Sequence, residues 1–295
     1  MKDNTCRARL RARLGTLLLL ASGAALAIDT EPGNYVPRPA GSNAASIYYQ
    51  NILRSENHAG GNVIGRNFAL DSDIATLKFA HYMQLGDYTV APGFIESCGS
   101  TRASGSLAAL GRTSGCMDLI FGAIVWTVND PAAGRYLAIS PYAVAPTGDY
   151  DRKRALNMGE NRWKYGINAG YVTPLVDRFF LDLVGDIVSN GRNADYGAAG
   201  LPLDQGVVFN VQVHLRYQFD AATRVSFSYM QDWGGETTIN GLDQNNRKYQ
   251  GRYRLGAAKF FDRRNQLQFE FGADTKVENG FKEMRRSTLR YLHLF

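Results

Sequence analysis

The sequence predicts an all-β fold, a transmembrane antiparallel β-barrel of about twelve strands with long connections at one end and short turns at the other. Three observations predict it. In the stretch 207–219, Val207, Phe209, Val211, Val213, Leu215, Tyr217 and Phe219 alternate with Val208, Asn210, Gln212, His214, Arg216 and Gln218. Successive side chains leave a strand on opposite faces, so this alternation gives one apolar and one mostly polar face. The run exceeds the usual soluble strand of about five or six residues, and it reaches the roughly nine to eleven needed to cross the hydrocarbon core. Second, no helix-length apolar run follows residue 27, although Tyr and Phe are plentiful. A membrane chain without such runs spans as a closed barrel, because lipid offers no partner to free backbone groups. Third, the chain ends on Phe295, with Leu289 and Tyr291 on the same face.

In chain order, residues 1–27 read as a secretory signal. Lys2, Arg7, Arg9, Arg11 and Arg13 form a basic start, residues 14–24 a short apolar core, and Ala25-Leu26-Ala27 a cleavage site before Ile28. The signal carries five positive charges and one negative, so its removal lowers the formal charge from +6 to +2. No basic patch interleaved with stacking aromatics remains to suggest nucleic acid. Residues 28–45 form a Pro/Gly-rich lead. Its prolines keep it out of a sheet interior, and it is a candidate plug for the lumen.

The barrel is expected over residues 46–295. Strands are expected at 46–55, 74–85, 88–97, 117–128, 136–145, 163–173, 178–188, 207–219, 223–233, 248–261, 265–274 and 286–295. The stretch 117–128 alternates less cleanly, because Ile120 and Trp126 fall on the inward side. Short connections at 86–87, 129–135, 174–177, 220–222 and 262–264 alternate with long ones at 56–73, 98–116, 146–162, 189–205, 234–247 and 275–285. Outer-membrane barrels have this asymmetry, with short periplasmic turns and long external loops. Cys98 and Cys116 are the two cysteines of an exported mature chain and are expected to form one disulfide stapling an external loop. Tyr291 and Phe295 resemble the assembly signal of outer-membrane barrels, although His293 departs from the hydrophobic pattern and Leu292 and Leu294 blur it.

No enzyme signature is present: no G-x-S-x-G, no H-E-x-x-H and no phosphate loop. The histidines, His58, His81, His214 and His293, are scattered, so no metal site or cofactor is expected. Charge concentrates on the inward rows instead. Arg216, Arg224, Arg252 and Arg254 come from consecutive strands and are expected to form a basic wall facing Asp182 and Asp186, with Glu270, Lys78 and Lys164 also inward. Such opposed charges orient solutes and tune selectivity.

Several segments carry a family resemblance. Tyr35-Val36-Pro37 followed by Ala40-Gly41-Ser42-Asn43 resembles a family's start. Ala145-Pro146-Thr147-Gly148-Asp149-Tyr150-Asp151 resembles its middle motif, and Asn157-Met158-Gly159-Glu160-Asn161-Arg162-Trp163 the segment after it. The chain thus resembles the outer-membrane phenol meta-pathway degradation proteins, a family of transporter barrels. The resemblance implies a barrel that passes or binds hydrophobic, often aromatic, compounds. The motif residues also have a purely physical reading. Pro146, Gly148 and Asp149 form a turn, Asn161 and Arg162 lead into the next strand, and Trp163 sits in an aromatic girdle.

The expectation is therefore an outer-membrane channel for passive uptake of small hydrophobic or aromatic solutes, exported through a cleaved signal. Its partners would be outer-membrane lipid and lipopolysaccharide and the barrel-assembly machinery. The alternative is a structural or surface-interaction barrel with a closed lumen. Around twelve strands lies between barrels filled by side chains and wide porins, so the pore is narrow or gated.

Overall fold

Each alternating stretch becomes a strand paired antiparallel with its chain neighbour. The computed structural model describes residues 28–295; the expected signal, residues 1–27, lies outside them. The barrel strands are β1 (Asn43–Ala59), β2 (Phe68–His81), β3 (Tyr88–Gly105), β4 (Leu119–Asp130), β5 (Arg135–Ala145), β6 (Lys164–Val176), β7 (Phe179–Asn190), β8 (Val208–Gln218), β9 (Thr223–Gly234), β10 (Lys248–Phe260), β11 (Asn265–Val277) and β12 (Gly280–Leu294). β12 pairs with both β11 and β1, which closes the sheet and leaves the barrel no free edge. At the seam the Asn43 N–H donates to the Phe295 carbonyl at 2.7 Å, and the Phe295 N–H donates back at 3.0 Å. The closed barrel thus has twelve strands, and no α-helix occurs among the described residues.

The two faces of β8 follow the alternation. Val211 and Leu215 are 44% and 37% exposed, whereas Gln212 and His214 are fully buried. Aromatic side chains cluster on the outer surface near both rims. Toward the long-loop end, Trp163 stacks on Tyr165 and meets Phe121 edge-on, and Phe209 stacks on Trp233. Toward the short-turn end are Phe179, Tyr217 and Phe219, and His293 stacked on Phe295. His293 replaces a hydrophobic residue there and also bonds Asn265 at 2.8 Å. Leu292 is buried and faces the lumen.

The expected long loops are shorter than their sequence gaps, because the strands continue past the apolar band. β1, β3 and β12 each run several residues beyond their predicted outer ends. Apolar alternation marks only the part of a strand that touches lipid. Beyond it, residues such as Ser100, Thr101 and Arg102 pair just as regularly with polar neighbours. The expected staple is present as well. Cys98 of β3 and Cys116 of the short strand Arg112–Cys116 are direct cross-strand partners joined by a disulfide, so the bridge braces a hairpin instead of an irregular loop. Two further loops pair through Leu203↔Ile239, Asp204↔Thr238 and Gln205↔Thr237 in a separate four-stranded sheet over the barrel mouth.

An arginine on the outer face at the middle of a strand must be held in hydrocarbon. Val213→Arg should therefore lower stability by about 2–4 kcal/mol in urea unfolding from lipid vesicles, whereas Val213→Ile should leave it nearly unchanged.

Candidate functional site

The lumen is occupied by the chain's own lead. Residues 28–42 form no strand and run inside the barrel toward the start of β1 at the short-turn end. Their polar groups find partners on the wall. The Thr30 N–H donates to Gln212 Oε1 at 3.0 Å, and Gln212 Nε2 donates to the Ile28 carbonyl at 2.8 Å. The Gly33 N–H donates to Asp182 Oδ2 at 2.6 Å. Glu31 accepts from Lys78 Nζ at 3.0 Å and from the Tyr48 hydroxyl. Asp29 pairs with Arg252 and lies 3.8 Å from Arg286.

One aromatic residue seats this segment. Tyr35 is buried with Tyr82, Ala91, Trp126, Ala138, Val172 and Val184. The Trp126 indole N–H donates to the Tyr35 carbonyl at 2.8 Å, and the Tyr35 hydroxyl bonds Asn168. Gly170 makes the space: a Cβ there would lie 2.1 Å from the Tyr35 ring. Trp126, the inward residue that disturbed the β4 alternation, is thus a wall of this seat.

The structure pairs the charged residues differently from the sequence expectation. Arg216 does not face Asp182 across a pore. It grips it from the neighbouring strand, with Nε 2.8 Å from Oδ2 and Nη2 2.7 Å from Oδ1. Arg252 pairs with Asp232 at 2.6 Å, and Arg254 with Glu283 at 3.3 Å. Glu283 also binds Arg54 and Arg286. Asp186 meets the Tyr142 hydroxyl at 3.0 Å and the Ile28 N–H at 3.0 Å. Arg224 reaches Gln268, and its guanidinium lies 3.4 Å from the position a Cβ would take on Gly33. Glu270 accepts from Gln268 Nε2 at 3.1 Å. Buried charges need nearby partners, and the same strand or one within two strands of it supplies them more cheaply than the opposite wall. The sequence reading omitted Asp232, Glu283, Arg286 and Arg290. Strand parity carries the signal of Asp232, Arg286 and Arg290, which share the inward row of their strands; Glu283 has the opposite parity and turns inward only because β12 is irregular between Glu283 and Arg285.

Two spaces flank the lead. Below it, toward the short-turn end, a cavity of ≈50 Å³ is bordered by Arg38, Lys78, Arg224 and Arg290. Above it opens a vestibule of ≈690 Å³ whose apolar lining includes Ile52, Leu70, Ile74, Ile120, Met230 and Phe281. The loop 146–163, which carries the sequence motifs, turns over this vestibule and contributes Leu156 and Met158. Gly148 approaches the Met117–Asp118 backbone closely, and its N–H donates to Asp118 Oδ1 at 2.9 Å. Asp149 takes the Cys116 N–H at 2.7 Å, while its own N–H donates to the Cys116 carbonyl at 2.8 Å. The disulfide-braced hairpin is therefore the anchor of the loop. Pro146 precedes this turn. Asn161 adopts φ 55° and reaches Asn193 at 3.2 Å. Arg162 and Lys164 converge on Glu160. Burial raises the Glu160 carboxyl and the charges of Lys164 and Arg162 lower it; the charges prevail and hold it at about 2.

One pairing escaped the sequence reading. Ser228 Oγ lies 2.8 Å from His214 Nδ1, across neighbouring strands. Both residues are buried, and Thr30 Oγ1 of the lead lies 3.4 Å from His214 Nε2, so the pair is sealed from solvent.

Residues 54–291 match the family described as the MetA-pathway of phenol degradation. An outer membrane channel from Pseudomonas putida F1 has a crystal structure similar to this chain, with TM-score 0.87 and 37% identity over 90% of this chain and 100% of that one. The β-domain of a Bordetella autotransporter shares the barrel fold alone, at TM-score 0.52 and 11% identity over 88% of this chain and all of that one. No curated protein matches the chain.

Gly170→Val should expel Tyr35 from its seat and raise conductance in planar bilayers; a folded variant with wild-type conductance would show that the seat does not hold the lead. The Glu160 cluster gives a pH-dependent result. Its carboxyl lies below the ordinary 4.5, so its contribution is full above about 4.5 and disappears as pH falls toward about 2. Glu160→Gln should destabilise the loop by about 2–3 kcal/mol near neutral pH, and the difference from wild type should shrink over that acid range when urea unfolding is followed.

Proposed function

We propose, from the premise that this chain belongs to the MetA-pathway of phenol degradation family, that it is an outer-membrane channel for passive uptake of small hydrophobic or aromatic compounds. The vestibule carries this reading. Its ≈690 Å³ lies in the range of small-molecule sites, about 300–1,000 Å³, and its lining mixes apolar side chains such as Ile52, Leu70, Ile74 and Phe281 with charged ones such as Arg54, Glu160, Arg254 and Arg286, which suits a compact aromatic carrying a polar group. The similarity to the Pseudomonas putida outer membrane channel supports it. The long loops face the cell surface, and both ends of the barrel domain face the periplasm. Residues 1–27 act as the export signal. The outward Tyr291 and Phe295 mark the chain for the barrel-assembly machinery, and the apolar belt meets outer-membrane lipid and lipopolysaccharide.

The chain performs no covalent chemistry in this reading, and with the lead in place the Ser228–His214 pair lies beneath Thr30. Arg252, Asp182 and Asp186 hold the lead, and with Arg216, Arg224, Arg254 and Glu270 they set the field through which a solute passes. Arg38, Arg224 and Arg290 below the lead favour solutes with an anionic group, since Glu31 in the same lining is already engaged by Lys78. A solute descends only when the lead yields. A second reading, a closed structural barrel, draws on the same lead, which leaves only ≈50 Å³ beneath it.

Liposome swelling separates the two. Refolded protein should pass a small aromatic acid faster than a small sugar, and deletion of residues 29–41 should raise both rates and reduce the preference. Absence of swelling from the deletion variant, shown folded by heat-modifiable gel mobility, would favour the closed barrel.

A further inference from the structure

Asp186 is a buried carboxylate, 2% exposed, in the middle of β7. Among the described residues no lysine or arginine forms an ion pair with it. Its hydrogen-bond donors include the Tyr142 hydroxyl and the backbone nitrogen of Ile28, each 3.0 Å from Oδ2. A buried carboxylate without a cation is costly, so the site calls for a positive charge. Ile28 is the residue that follows the expected cleavage site, Ala25-Leu26-Ala27.

We infer that Asp186 is a binding site for the mature chain's own α-ammonium, and that the lead locks into the lumen only after residues 1–27 are removed. The inference rests on cleavage after Ala27 and not on the identity of any transported solute. In that hydrolysis the Ala27–Ile28 C–N bond breaks and water supplies hydroxyl to the Ala27 carbonyl carbon and a proton to the Ile28 nitrogen. The amine takes a second proton from solvent. An amide that could give Asp186 one neutral hydrogen bond becomes an ammonium that gives it an ionic one, which is roughly twice as strong. The surroundings fit a terminus. Ile28 packs its side chain against Tyr142, Val144, Val188 and Val208, and its carbonyl is held by Gln212.

The test is acylation of the N-terminal amine by a water-soluble succinimidyl acetate near neutral pH, read by mass spectrometry of the N-terminal peptide. The protein is exported with its own signal and purified from outer membranes. The expected N-terminal residue is Ile28, and any other start overturns the inference. In folded protein the Ile28 amine should react at least about tenfold more slowly than in heat-unfolded protein, the scale of a charged hydrogen bond. Asp186→Asn, still heat-modifiable on gels, should recover most of the unfolded rate. A chain refolded with one alanine added before Ile28 should also lose the protection, which keeps the test valid if Asp186→Asn does not fold. Equal rates in folded and unfolded wild type, or full protection in both altered chains, would overturn the inference. Neither result would bear on uptake of aromatic solutes.

Discussion

The pairing of β1 with β12 is the constraint from which the rest of this molecule follows. Hydrocarbon satisfies no backbone group, so a sheet in a bilayer must close on itself. Closure here is carried to the last residue, with Asn43 and Phe295 exchanging backbone hydrogen bonds. Once twelve strands close, every inward side chain belongs to a confined space about which water and lipid have little to say. The interior must then be satisfied by the chain itself, by solute or by water. Most of the structure below the vestibule is the first of these solutions.

That solution is a redistribution of charge. The wall contributes Arg216, Arg252, Arg254 and Arg286, and its own Asp182, Asp232 and Glu283 meet them locally. The lead adds Asp29 and Glu31 where Arg252 and Lys78 wait. Tyr35 then fills the apolar notch that Gly170 leaves open. The same segment therefore neutralises, caps and closes. Above it the lumen stays open between apolar side chains such as Ile52, Leu70 and Phe281 and charged ones such as Arg54, Glu283 and Arg286, which pair with one another along the wall.

Much of this was legible in the amino-acid sequence, and the limits of legibility are physical. Strand number and facing follow from a period of two, which a residue such as Leu215 or Gln212 displays without reference to anything distant. Strand ends did not, since alternation disappears where lipid gives way to water although pairing continues at Ser100–Arg102. The partners of the inward arginines were also hidden. Whether Arg216 meets Asp182 from the next strand or from across the lumen depends on register, and no local pattern encodes it. The seat of Tyr35 left a faint trace, the bulky Trp126 on an inward row. The motifs around Gly148, Asp149 and Arg162 showed the opposite behaviour: their residues are distinctive, yet their contacts are with the loop and its disulfide-braced hairpin.

The lead is joined to β1 without an intervening linker, and this has a kinetic consequence. A free blocking peptide would be diluted away once displaced, but a tethered one remains at an effective concentration in the millimolar range or above. In a channel that opens by displacing its lead, opening is therefore a competition that a solute wins only transiently, and reclosure is a first-order event independent of how many copies of the protein the membrane holds. Such a tethered plug would let a pore rest shut, admit what can compete locally, and shut again without any external signal.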